Sequence, residues 1–84
     1  MISVCYFAAL RKRIGCSAEN VAPPAVVDDV AALVDWLACR SPAYADAFRD
    51  RAAIRAAVNQ VLAEDATAVA EGDEVAFFLP VTGT

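Results

Sequence analysis

Two short runs of alternating side chains bracket this chain, and between them lies one stripe with helical spacing. Near the start, Ile2, Val4, Tyr6 and Ala8 fall on one side of an extended segment, and Ser3, Cys5 and Phe7 on the other. Near the end, Val75 and Phe77 oppose Phe78 in the same way. In the middle, Val30, Leu33, Val34 and Leu37 recur at i, i+3, i+4 and i+7. One apolar helix stripe needs one apolar sheet face to cover it. The pattern therefore predicts a two-layer α+β domain, with the first and last strands, the most apolar, at the centre of the sheet.

Punctuation between these runs fills in the order. Residues 1–10 read as a strand and residues 11–15 as a short turn or helical turn. Residues 17–22 form a second strand, hairpin-paired with the first, and Pro23-Pro24 ends it. Asp28 is the expected N-cap of a helix over residues 29–40, because its carboxylate can accept from orphan amides. Trp36 lies off the centre of the helix stripe and is expected to cover the core edge. Ser41-Pro42 has the pattern of a cap followed by a first-turn proline, opening a second, shorter helix that runs to about residue 49. A third strand over residues 54–58, a turn at Asn59-Gln60, a brief strand at Val61-Leu62, a turn at Glu71-Gly72-Asp73 and a last strand over residues 74–79 complete the list. With the first and last strands as neighbours in a mixed sheet, this order is that of a β-grasp, the ubiquitin-like roll. Eighty-four residues make one domain, residues 1–84. A domain this small buries only about 60% of its unfolded surface. Much of the apolar fraction of 60% is Ala, so the larger side chains must form the core. Ile2, Val4, Tyr6, Leu33, Val34, Leu37, Ile54, Val58, Val75 and Phe77 are the candidates.

Composition excludes several functions. With a net charge of −4 and a single Lys, Lys12, the chain lacks the clustered cations of a nucleic-acid binder. Arg11-Lys12-Arg13 is its one basic cluster, either a solvated turn or a small docking patch for an acidic partner. Cys5, Cys16 and Cys39 are odd in number and widely spaced, and there is no His. That argues against a metal site, a disulfide framework or an activated thiol, and each Cys is expected to fill space. Reduced thiols imply a cytoplasmic protein. No apolar run approaches a membrane span and no signal peptide is visible, so no membrane partner is expected. Asp28-Asp29 reads as a helix start, and Glu64-Asp65 and Glu71 to Glu74 as turn and strand-edge charges. No side-chain constellation for catalysis is present.

The chemistry is instead expected at the chain terminus. Four stretches resemble the small subunit of molybdopterin synthase, a ubiquitin-like sulfur carrier. They are the aromatic-rich strand from Ile2 leading to Arg11, the helix 29–37, the motif Ala56-Ala57-Val58-Asn59-Gln60, and Gly72-Asp73-Glu74-Val75-Ala76-Phe77-Phe78 leading to Pro80-Val81-Thr82-Gly83. The last is the most specific, and together they span nearly the whole chain. The thiamine-pathway sulfur carrier shares the fold and the tail logic but is typically shorter, without an insertion like the second helix.

The resemblance implies a mechanism. A ubiquitin-activating-type adenylyltransferase uses ATP to adenylate the terminal carboxylate, and sulfur then displaces AMP to leave a thiocarboxylate. The tail enters the large synthase subunit and donates that sulfur to a pterin precursor in molybdenum cofactor biosynthesis. The implied assembly is a heterotetramer with the large subunit. No cofactor is bound by the chain itself, and the partners carry the catalytic groups. The working atoms fall on Gly83 and Thr84, on a flexible tail over residues 80–84. Residues 81–84 would reach roughly 13–14 Å at about 3.3–3.6 Å per residue. Alternation places Phe7 and Phe78 on the face away from the helix, with Leu62 joining them and Arg11 at the rim. Pro80, Val81 and Thr82 belong to the same partner-binding surface.

Two positions depart from the family pattern. Leu79 stands where a Pro is common, and Thr84 stands where the family ends in Gly. Thr is β-branched and stiff, and adds bulk beside the carboxylate to be activated. Three fates follow. Thr84 is itself activated, Thr84 is removed to leave Gly83, or the chain is a ubiquitin-like binding module that carries no sulfur. A carrier for thiamine or another metabolite is a further alternative.

Overall fold

The computed structural model describes residues 1–7, 9–49 and 53–79. In chain order these residues form β1 (Ile2–Tyr6), α1 (Ala9–Ile14), β2 (Ala18–Val21), α2 (Val30–Ala38), α3 (Pro42–Ala47), β3 (Arg55–Val58), β4 (Val61–Ala63) and β5 (Glu74–Phe78). The five strands make one mixed sheet in the order β2-β1-β5-β3-β4. β1 and β5 are neighbours and parallel, with Val4 opposite Val75 and Tyr6 opposite Phe77. The other pairings are antiparallel. This is the expected α+β, β-grasp arrangement, with β5 at the centre.

The period-2 and period-3.6 patterns meet in the core. Ile2, Val4, Tyr6, Val75 and Phe77 turn inward from the sheet, and Val30, Leu33, Val34 and Leu37 meet them from α2. Leu10, Val21, Ala47, Phe48, Ala56 and Val69 join the core, while Ile54 and Val58 only pack against its edge. Trp36 also packs against that edge.

Several boundaries differ from those the sequence implies. The first strand ends at Tyr6, and helical backbone begins by Ala9, so Leu10 enters the core from α1 rather than from a strand. The turn to β2 therefore contains a helix. The cap of α2 is Asp29, not Asp28. Its carboxylate accepts a hydrogen bond from the Ala32 amide at 2.8 Å, and its backbone is extended. Both residues can cap, but only Asp29 lies three residues before that amide. Asp29→Ala is expected to cost about 1 kcal/mol, read as a lower urea midpoint with unchanged slope.

Ser41 and Pro42 open α3 as expected. Asn59 and Gln60 both have positive φ, 51° and 69°, which turns β3 back into β4. Gly72 has φ of 90°, where a side chain would strain the backbone. Cys39 is exposed at the end of α2, so it does not fill space, while Cys5 and Cys16 are half-buried. No described helix is long and apolar enough to cross a membrane.

Candidate functional site

The sheet has one face covered by helices and one face open. Register assigns the open face row by row. The first row holds Arg55 and Phe78, which are partners. Phe7 joins them, because its amide donates to Phe77 O at 3.1 Å and carries the β1–β5 ladder one step further. The second row runs Leu62, Ala57, Ala76, Cys5, Ala18 across all five strands. The third holds Glu74, Ser3 and Asn20.

Side-chain size gives this face its shape. The middle row is a floor of Ala and Cys, bounded by Leu62 on the β4 edge and by the two Phe rings at the end where β5 finishes. Phe7 is 52% exposed and Leu62 71%, while Phe78 is half-buried. Exposed large apolar groups around a floor of small side chains let a partner approach the sheet closely, and such patches mark interaction sites. Leu62 shares the face with the rings as expected, but Arg55 and Ala57 on β3 lie between them. Cys5 stands in the middle of the floor. Partial burial and the neighbouring Glu74 carboxylate push its thiol pKa up, so it is a poor nucleophile.

Beneath the rings, a second constellation anchors the end of β5. Tyr6, Phe48 and Phe77 meet at ring-centroid distances of 5.3–6.4 Å, with Phe48 edge-on to Phe77. Tyr44 meets Tyr6 edge-on at 6.3 Å. The Glu19 carboxylate accepts hydrogen bonds from the hydroxyls of Tyr6 at 2.8 Å and Tyr44 at 2.6 Å, and from Arg40 at 3.0 Å. The Arg40 guanidinium stacks over Trp36 and Tyr44. One carboxylate thereby ties β2 to β1, to the end of α2 and to α3.

Burial alone would raise the Glu19 pKa. The bonds from Tyr44, Tyr6 and Arg40 outweigh it and hold the group below the ordinary carboxylate value. Desolvation, then the bond to Glu19, pushes Tyr44 up to about 12 and Tyr6 higher still. Sequence reading missed this cluster.

Arg11 lies on α1, exposed, at the end of the sheet where β5 finishes. Phe7, Phe78 and Arg11 are thus brought to one end of the domain, and Leu62 to its flank. Pro80, Val81, Thr82, Gly83 and Thr84 lie outside the described residues. Leu79, half-buried, is the last described residue before them and packs against the core. Among the described residues no group of three His, Cys, Asp or Glu could hold a metal. An open groove of about 630 Å³ separates α2 from β3 and β4. Its polar residues include Thr67, whose hydroxyl accepts from the Glu64 amide at 2.9 Å and closes the turn there.

The model of the ThiS family matches residues 4–83. The molybdopterin synthase sulfur carrier subunit of Escherichia coli (strain K12) is 43% identical over 83 residues, covering 99% of both chains. The crystal structure of SAMP1 from Haloferax volcanii superposes with a TM-score of 0.76 at 27% identity, covering 99% of this chain and 98% of that one. A protein-protein complex of subunits 1 and 2 of molybdopterin-converting factor from Helicobacter pylori contains a chain with a TM-score of 0.64. At 18% identity over 99% of this chain and 97% of that one, it shares the fold.

Proposed function

The chain belongs to the ThiS family, and on that footing we propose that it is the sulfur-carrier small subunit of a molybdopterin synthase. The observation that carries this reading is full-length similarity, at 43% identity, to a protein of that name. The fold supports it. β5 is the central strand, held by β1 on one side and β3 on the other, and it points the chain out beside an exposed aromatic face.

In this reading the terminal carboxylate is the working group. A carboxylate is a poor electrophile. An activating partner uses ATP to form an acyl-adenylate and pyrophosphate, and sulfur from a donor on the partner side displaces AMP. The resulting thiocarboxylate enters the large subunit, its sulfur bonds to a pterin precursor, and water attacks the acyl carbon, breaking the carbon–sulfur bond and regenerating the carboxylate. Gly83 suits a narrow passage because it has no Cβ. Phe7, Phe78 and Leu62 hold the partner's apolar surface, with Arg11 at the rim and Pro80, Val81 and Thr82 in the passage.

Incubation with the cognate activating enzyme, ATP and a sulfur donor is expected to raise the intact mass by one oxygen-to-sulfur exchange. Fragment masses then place the sulfur on Thr84 or, after loss of Thr84, on Gly83. No exchange, with or without Thr84, overturns the carrier reading. The alternative is a binding module without sulfur chemistry. That module would bind the large subunit equally well after deletion of residues 80–84. Loss of thiamine rather than of molybdenum cofactor in a deletion strain would move the chain to the other sulfur pathway.

A further inference from the structure

The chain carries a net charge of −4, yet its cations are not spread evenly. β1 and β5 are parallel, so both point to the end of the sheet at which Leu79 leaves β5. α1 follows β1 at that end and packs against β5 and α3. Its Arg11, Lys12 and Arg13 are exposed and form no ion pair among the described residues. Other cations near this end are differently placed. Arg49 pairs with Asp46 at 3.5 Å, and the Arg55 guanidinium donates to Ile54 O at 3.4 Å. Among the described residues, three exposed cations without an ion pair stand together on α1.

Carboxylates gather at the opposite end. Glu71, Asp73 and Glu74 surround the turn that enters β5, and there Glu71 pairs with the Met1 amino group. The C-terminal end of a helix favours cations, which accounts for basic residues in the last turn of α1. It does not account for the three carboxylates around the turn that enters β5. Exposed cations on α1 at one end and that acidic turn at the other give an anionic domain an oriented field.

We propose that the α1 cations form a steering surface for an acidic rim on the protein that receives the tail. This rests on the carrier role above. The apolar face supplies the contact that holds the complex. The cations act earlier, turning the domain so that β5 and the chain beyond it lead into the encounter. Charges at a rim change association rate and its salt dependence more than they change dissociation.

The test is stopped-flow association of the full chain with the cognate large subunit at two salt concentrations. Ionic strengths of about 0.01 M and about 1 M take the screening length from ~30 Å to ~3 Å. The wild-type association rate is expected to fall at least about tenfold between them. Neutralising the patch as Arg11→Gln, Lys12→Gln and Arg13→Gln together is expected to slow low-salt association by about tenfold, with dissociation changed less than about twofold. The double variant Lys12→Gln and Arg13→Gln, which keeps the rim contact of Arg11, is expected to fall between. Thermal melts check that each variant is folded.

A salt-insensitive wild type, or a neutralised variant with wild-type association, overturns the steering surface and leaves the carrier reading standing. So does tight binding of a single-stranded oligonucleotide that the triple variant loses, since the occupant would then be a nucleic acid. Failure of the wild type to bind the large subunit overturns both readings.

Discussion

Phe77→Ala is expected to destabilise this domain by about 3–5 kcal/mol. Phe77 is fully buried on the central strand and touches the rings of Tyr6 and Phe48. Truncating a buried Phe costs about 3–5 kcal/mol, the lost transfer energy plus the cavity left behind. An 84-residue domain at ~0.05–0.15 kcal/mol per residue has about 4–13 kcal/mol in total. The substitution therefore removes from about a quarter to all of the stability. Trp36, the single tryptophan, packs against the core edge and reports unfolding by fluorescence. The expected result is a sharply lowered urea midpoint, with Phe77→Leu losing less. A wild-type midpoint in Phe77→Ala would mean that the end of β5 is not held from beneath.

Glu19→Gln is expected to lower stability by about 1–3 kcal/mol and to alter its pH dependence. The amide keeps the shape but cannot accept from two hydroxyls and a guanidinium as a carboxylate does, and among the described residues the buried Tyr6 hydroxyl has no other partner. Little of the loss belongs to Arg40, whose side chain is 36% exposed and screened by water. The Glu19 pKa is depressed by folding. Its contribution is thus present above the unfolded carboxylate value, about 4.3, and is lost as pH falls through the lower folded value. The tyrosine pKa values are raised. Their contribution is complete below the unfolded value of about 10 and declines above it, for Tyr44 through about 12. Denaturation across a pH series should show both limbs in the wild type. The Glu19 share of the acid limb should vanish in Glu19→Gln, and persistence of the full acid limb would place that titration elsewhere.

The contrast between these two residues shows what the sequence could reveal. Phe77 was legible because strand alternation and helix spacing are local patterns, and Val30, Leu33, Val34 and Leu37 were legible for the same reason. Glu19 was not. Its partners Tyr6, Arg40 and Tyr44 are 13, 21 and 25 residues away, and no local period announces a hydrogen bond across that distance. Leu10 was placed on a strand because alternation continues past Tyr6. The backbone turns helical there, where α1 can pack on α3. Phe7, Phe78 and Leu62 were read from alternation as sharing one face, and register places them on the open face of the sheet, while Arg11 lies on α1. The small-residue floor between them was not foreseen, because only register across five strands assembles Ala57, Ala76, Cys5 and Ala18. The tail positions were chosen for their chemistry, and the fold bears on them through the strand that leads to them.

The parallel pairing of β1 with β5 also has a mechanical meaning. A force drawing the chain onward from Leu79 acts along β5, and the hydrogen bonds to β1 and β3 lie across that line. The ladder is loaded in shear, with its bonds sharing the strain, rather than peeled open one bond at a time. The aromatic rings under Phe77 resist the same displacement. A partner can therefore pull on this end of the protein while the rest behaves as a stiff handle.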